Sequence, residues 1–501
     1  MTTDPADLSA IAARDLIGRR ALSPVELAEA CLARFDAVNP AVNAVVAMDR
    51  EAVLAEARAA EAAVAKGAPL GPLHGLPVGV KDMTDVAGLP TTYGCTLYRD
   101  NIAEADDPIV TGLRGAGGVV FGKTNVPEFS AGANTINKVY GVTANPHDVT
   151  RSAAGSSGGS AAMLACGMAP LATGSDMGGS LRNPAAFCGV VGFRPSPGVV
   201  PSPDSGTATL PLSTSGPMGR TVADAALMLS VMARADGRDP YCAVVGGQTI
   251  WAPEGFGRLP RRDLSSARVA LTEDYGFAPT ESIVRRAFRA RAEALAPLFG
   301  RAEETAPDCH DADRIFAVLR GLSFLVSHHA NVEQQPGVFG PNIRANVAEG
   351  LGYSALDIAR ATAAHSDYYR RWQAFFAEWD YVICPAVTIS PRDWHELYPT
   401  EIDGVATKTY YHWLAMAYAS TLAGHPSISI PMGRDEKGLP FGLQIVGRRN
   451  DDLGVLAVAA EIEAAFAGDA SLGAPRVDLA ALKAAPPLLE APGFLMDQPK
   501  R

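Results

Sequence analysis

Gly155-Ser156-Ser157-Gly158-Gly159-Ser160 and Gly174-Ser175-Asp176-Met177-Gly178-Gly179-Ser180 are two glycine- and serine-rich turns, and the chain between them reads as one short helix and one short strand. That turn–helix–strand–turn unit sets the texture of residues 71–235. Apolar, β-branched runs occur at Leu76–Val80 and Gly118–Phe121, Ser157–Cys166 is helix-prone, and Thr221-Val222-Ala223-Asp224 opens another helix. Strands alternating with helices predict a single large α/β/α domain around a mixed, mostly parallel central sheet, buried on both faces.

Upstream, roughly the first 70 residues predict a helical N-terminal segment. Ser23-Pro24-Val25-Glu26 joins a capping box to proline at the first helical position. Leu27, Cys31 and Phe35 then recur at helical spacing, and Asn39-Pro40 is expected to end the helix. An alanine-rich helix should span about Asp49 to Lys66 and stop at Gly67. Downstream, residues 236–375 predict a mainly helical elaboration bracketed by strand candidates Arg268–Thr272 and Tyr381–Cys384. A helix from near Tyr410 and strands Ser427–Ile430 and Phe441–Val446 return to the sheet. We expect one domain over 1–470, with its α/β core at 70–230 and the helical elaboration at 236–375. Residues 471–501 are expected to form a C-terminal extension.

Composition narrows the function. The 501 residues are 48% hydrophobic and 19% charged, ample for a core, and the net charge of −11 is spread without long runs. Nucleic acid and anionic membrane both call for a basic patch, so neither is expected as a partner. Seven cysteines lie far apart with no Cys-x-x-Cys pair, which fits neither a disulfide framework nor a zinc site and suits a reducing compartment. Asp4, Asp7, Arg14 and Asp15 interrupt Met1–Arg20, and no run of eighteen apolar residues occurs. The expectation is a cytoplasmic protein without a signal peptide or membrane span.

Glycine lets backbone amides approach a ligand, so a serine behind Gly-Gly presents its hydroxyl beside free N–H groups, the layout of an oxyanion hole. Such turns are individually common as ordinary loops; two of them so close together are not. A third element is Gly75-Leu76-Pro77-Val78-Gly79-Val80-Lys81-Asp82, an apolar strand ending in lysine. A strand-end lysine is ordinarily a solvated charge. Buried against the serines, its neutral form would be favoured, and a neutral amine serves as general base for a hydroxyl.

Gly79-Val80-Lys81-Asp82, Gly155-Ser156-Ser157-Gly158-Gly159-Ser160 and Ser175-Asp176-Met177-Gly178-Gly179-Ser180-Leu181-Arg182, in that order, resemble the amidase signature family. So do Phe121-Gly122-Lys123-Thr124-Asn125, Asn145-Pro146, Ala423-Gly424-His425-Pro426 and Gly442-Leu443-Gln444-Ile445. The likeness is dense over 70–230 and thin over 236–375. It implies a Ser–cis-Ser–Lys triad: Ser180 as the acylated nucleophile, Ser156 after a cis peptide as the bridge, and Lys81 as the base. It further implies oxyanion donors at the N–H groups of Met177, Gly178, Gly179 and Ser180, and Ser130 in the acyl pocket. Asp176 and Arg182 flank the nucleophile and are expected to buttress its loop. Ala154 departs from the family, which usually has glycine there.

Several motifs compete. Gly117-Gly118-Val119-Val120-Phe121-Gly122-Lys123-Thr124 matches the P-loop pattern, but its middle reads as the strand itself. Gly155-Ser156-Ser157-Gly158-Gly159 matches a nucleophile elbow, but Asp148–Ala154 reads as too polar for the preceding strand. A Ser/His/Asp mechanism could draw on His412 or His425, yet no partner acid is evident in sequence. His328 and His329, adjacent on a helix and about 100° apart, do not suit one metal ion and read as packing or surface residues. Tyr410, Tyr411, His412 and Trp413 read as core packing, with an aromatic pocket wall as the sharper alternative.

The resulting expectation is an amidase needing neither metal nor organic cofactor, acting on a small or aryl amide through a Ser180 acyl-enzyme, with esters or carbamates (urethanes) open to the same chemistry. A homodimer is the family-level expectation. The alternatives are the amidase component of a glutamyl-tRNA amidotransferase, which Gly206–Gly219 does not resemble, and a binding protein with a dead site, which the intact triad disfavours.

Overall fold

Ser23 caps the first long helix, Pro24–Val42, by accepting from the N–H of Glu26, while Glu26 accepts from Ser23 N in return. Such a cap contributes about 1 kcal/mol. Pro40 does not end this helix, contrary to the sequence reading. Its missing N–H removes only one bond close to the C-terminus, and Asn39 organises the exit instead. The Asn39 side chain accepts from Ala44 N and Val45 N (2.9 and 3.0 Å), and the helix stops at Asn43 in the left-handed region. The alanine-rich helix Arg50–Ala65 follows, capped by Asp49. The computed structural model describes residues 4–496; residues 1–3 and 497–501, the outer ends of the N-terminal segment and C-terminal extension, lie outside the described residues.

Among the described residues, eleven strands build the central sheet: β1 Val45–Ala47, β2 Pro77–Lys81, β3 Val119–Thr124, β4 Leu171–Asp176, β5 Val191–Arg194, β6 Thr214–Gly219, β7 Arg268–Leu271, β8 Arg301–Glu304, β9 Tyr381–Pro385, β10 Ser427–Arg434 and β11 Pro440–Gly447. Their spatial order is β1-β3-β2-β4-β6-β5-β10-β11-β9-β7-β8. The α/β domain and the mixed sheet are as expected; the balance of directions is not. Four pairings are parallel, β2 with β3 and β4, and β7 with β8 and β9. The other six are antiparallel. The physical reason is β6, which inserts antiparallel between β4 and β5, together with the β10–β11 hairpin.

Helices cover both faces. Gly158–Ala165 packs on β2, β3 and β4, and Arg182–Cys188 on β5, β10 and β11. Val222–Met232 and Asp452–Phe466 cover the opposite face. Two glycines of β11 display the sandwich, since residues five apart on a strand face opposite ways. Gly442 meets Ala186 of one layer, and Gly447 meets Val455 of the other, each too close to admit a Cβ. The main core includes Val78, Phe121, Met163, Leu171, Met218, Ile428 and Ile445. A second cluster, around Phe316, Tyr368, Trp372 and Tyr418, joins helices Ala312–Gln334, Ala355–Glu378 and Ala415–Ala423.

Asp148–Ser152, read as too polar for a strand, is one. It pairs with Ala144–Asn145 in a separate ribbon off the central sheet, so its polar side chains are tolerated. In the C-terminal stretch, helix Leu479–Ala484 buries Leu482 and packs on helix Pro24–Val42. No helix among the described residues is long and apolar enough to cross a membrane.

Candidate active site

Lys81 is the last residue of β2, between β3 and β4, and is 1% exposed. The N–H of Lys81 donates to Thr173 Oγ1 of β4 at 2.9 Å. Its Nζ reaches Ser156 Oγ at 2.7 Å and Ser175 Oγ at 2.9 Å. Burial pushes the amine down to about 7, with the Asp176 charge opposing it. A large uncharged fraction is therefore present at neutral pH. Ser175 was not singled out in the sequence; it sits in the second turn, but only the fold shows that its hydroxyl faces Lys81.

Ser156 is fully buried and follows a cis Gly155–Ser156 peptide. Ala154 has φ 56°, the left-handed region where glycine is favoured, which explains the family's usual residue there. Its carbonyl accepts from Thr135 N and Oγ1 (3.0 and 2.7 Å), which holds the turn in place. The turn runs into helix Gly158–Ala165. Gly159 lies so close to Asn125 N that a side chain would collide with it. The two serine turns are joined by Ser157 N–H donating to Ser180 C=O at 3.3 Å.

Ser180 is partly exposed. Among the described residues, its hydroxyl has no hydrogen-bond partner, and no bond joins it to Ser156. Both line one cavity of about 290 Å³, together with Ser130, Ser175, Met177 and Gly178. The N–H groups of Met177, Gly178 and Ser180 meet no acceptor among the described residues. Gly179 departs from the expected donor row: its N–H donates to Asp176 Oδ1 at 2.8 Å, because the carboxylate turns back into its own loop. Ser130 Oγ is buried without a partner, and its backbone has φ 58°.

Asp176 and Arg182 form a bidentate pair, fully buried, at 2.9 and 3.0 Å. Burial would raise the Asp176 carboxyl, but Arg182, Arg194 and Gly179 N–H hold it well below the usual carboxylate range. The Arg182 guanidinium also donates to Ala417 O, Ser420 Oγ, Thr421 Oγ1 and Gln444 Oε1, tying the Ser180 turn to helix Ala415–Ala423 and to β11. Arg182→Met should thus leave a buried carboxylate short of its counter-ion. A loss of about 3–5 kcal/mol in denaturant-measured stability is expected; an unchanged midpoint and slope would refute the buttress.

The competing motifs resolve by placement. Lys123 of the P-loop-like stretch is buried in β3, on Thr84 O, Thr91 Oγ1 and Asp82 (2.7, 2.8 and 3.3 Å). His425 is buried against Phe376, donates Nδ1–H to Gly447 O at 2.7 Å, and is pushed down to about 3 by burial. His412 does have an acid near it, Asp313 at 3.5 Å, but does not line the Ser180 cavity. Tyr410 and Tyr411 join the second core cluster, their hydroxyls on Asn346 and Glu349. His328, read as packing or surface, does line the cavity, beside Phe129 and Phe324, as does Arg320. Both belong to the region where the family likeness is thin.

The fold can be placed among known enzymes by comparison. The sequence profile of the Amidase family matches residues 26–456, and the chain belongs to that family, the amidase signature enzymes. It is a hydrolase of carbon–nitrogen bonds. The chain is 35% identical over 446 residues to an acylamidase of Rhodococcus erythropolis, covering 88% of this chain and 92% of that protein. It is 33% identical over 470 residues to an indoleacetamide hydrolase of Bradyrhizobium diazoefficiens, covering 90% and 85%. Among solved structures, a bacterial aryl acylamidase of the amidase signature family superposes with a TM-score of 0.83 at 27% identity, covering 91% of this chain and 96% of that one.

Proposed function

We propose that the chain cleaves small or aryl amides by a ping-pong route through an ester on Ser180, with Ser156 and Lys81 carrying the proton. The observation that carries this reading is the buried Lys81 amine, pushed to about 7 and 2.7 Å from a serine hydroxyl that opens on the Ser180 cavity. The Ser180 proton passes to Ser156 as the Ser156 proton passes to the Lys81 lone pair, and Ser180 Oγ bonds to the carbonyl carbon. The oxyanion faces the N–H groups of Met177, Gly178 and Ser180; one such donor is worth about 2.7–4 kcal/mol. The ammonium then returns its proton through Ser156 to the leaving nitrogen, the C–N bond breaks, and water releases the acid by the same relay. The step requires the Ser180 hydroxyl to turn toward Ser156, a tightening expected on substrate binding.

An aryl preference is supported by Phe129 and Phe324 in the cavity wall and by the acylamidase relatives. The test is a panel of anilides, aliphatic amides, aryl esters and aryl carbamates given to the purified chain alone. Anilide turnover with an acyl adduct on Ser180 by intact mass is expected. Turnover appearing only when a partner protein is added would favour the amidotransferase alternative and sink this reading.

A further inference from the structure

Helix Ala312–Gln334 turns one face to the active-site cavity: Arg320, Ser323, Phe324, Ser327 and His328 all line it, at the spacings that bring successive turns together. Arg320 is 5% exposed, yet its partners are all neutral. Its Nε donates to Asn346 Oδ1 at 3.1 Å, one Nη to the Tyr410 hydroxyl, and Nη1 to the Met177 sulfur at 3.2 Å. Among the described residues, no Asp or Glu lies within ion-pair distance of it. Three other buried cations nearby do have a carboxylate: Lys123 has Asp82, and Arg182 and Arg194 share Asp176.

The faces of Phe324, Tyr411 and Tyr410, at 4.6, 5.4 and 5.6 Å, hold the guanidinium in place but supply no counter-charge. A thioether is a weak acceptor, so Nη1, beside the cavity-lining Met177, retains donor capacity. No carboxylate lines the cavity among the described residues, and burial, with Arg320 beside it, pushes His328 down to about 4, leaving that ring neutral. An uncompensated buried cation is costly unless an anion arrives to meet it.

We propose that Arg320 forms an anion-accepting subsite in the wall of this cavity, so that preferred amide substrates carry a carboxylate away from the scissile bond. The carboxylate takes the place of the Met177 sulfur on Nη1, and the Ser323 and Ser327 hydroxyls lie on the same helix face to complete its shell. The inference rests on the amide-hydrolase reading above.

Two matched substrate pairs test it: glutaric half-anilide against pentanoyl anilide, and 4-carboxyacetanilide against 4-methylacetanilide. Wild type should favour the carboxylate of at least one pair by roughly 10–100-fold in kcat/KM, chiefly through KM, the range of a hydrogen bond to a charged group. The responding pair tells whether the subsite serves the acyl or the amine half. R320Q should erase the preference and R320K should keep part of it. No preference in either pair, or one that survives R320Q, overturns the proposal. Should R320Q fail to fold, R320K and protection of wild-type Ser180 by glutarate against a sulfonyl fluoride decide; absence of protection counts against the subsite. That protection does not depend on turnover, so a failure of the amide-hydrolase reading, seen as no anilide cleaved at all, is distinguishable.

Discussion

Ser180→Ala is expected to lower amide turnover by on the order of 10⁴-fold or more and to abolish the covalent adduct. On the proposed route its hydroxyl is the atom that forms and breaks the acyl bond, and no neighbouring side chain is placed to replace it. Ser156 Oγ is nearest in chemistry, but it is fully buried and engaged by Lys81 at 2.7 Å. A residual rate should survive, because the free N–H groups of the turn still stabilise an oxyanion. Stability should stay within about 0.5 kcal/mol, since the Ser180 hydroxyl is partly exposed and bonds to no other described residue. Kinetics with an anilide, intact mass after sulfonyl fluoride treatment and a urea melt check all three. Full activity in the alanine variant would remove Ser180 from the mechanism.

Lys81→Met should have the second largest effect, and in two directions. Activity should fall by several orders of magnitude, because the relay loses its proton acceptor. Stability at neutral pH should rise, by on the order of a few kcal/mol, because the variant no longer buries an ionisable amine. The amine titrates at about 7 in the folded protein against an ordinary 10.5, so between these values the unfolded chain binds more protons. Wild-type stability therefore climbs with pH across that window, and the Met variant's advantage is greatest below pH 7 and shrinks toward pH 10.5. Loss of the contacts to Ser156 and Ser175 offsets part of the gain. Urea midpoints at pH 7 and pH 10 measure it; a variant less stable than wild type at pH 7 would mean the buried amine is not destabilising.

Much of this site was legible because its chemistry sits in local sequence. Lys81 closes an apolar strand, and the two serine turns bracket one helix and one strand, so Gly/Ser composition and periodicity located all three. Tertiary facts were not legible. Ser175 is one more serine in its turn until β4 lies beside β2. The N–H of Gly179 is lost to Asp176, a fold-back that spacing does not reveal. Arg320 and His328 reach the cavity from a helix more than a hundred residues downstream, where no motif marks them.

The fold divides the same way. Strands β2 and β3 announce themselves as β-branched runs, and β4 as a short small-residue run into the second Gly-rich turn. Thr214–Gly219 does not: it carries two glycines and a proline, and the sequence reading names no strand there, yet as β6 it runs antiparallel between β4 and β5. Missing that one strand hides two of the six antiparallel pairings and makes the sheet look more parallel than it is. Pro40 misleads in the opposite sense, since the helix runs past it to Val42 and the Asn39 side chain takes the N–H groups of Ala44 and Val45 at the exit.

The most direct measurement is the single-turnover acylation rate of Ser180 against pH. If an uncharged Lys81 amine accepts the proton, the rate should climb tenfold per pH unit below 7, bend near 7 and level off above it, following the amine pushed to about 7. A rate constant unchanged from pH 6 to pH 9 would contradict a titrating lysine at the end of the relay.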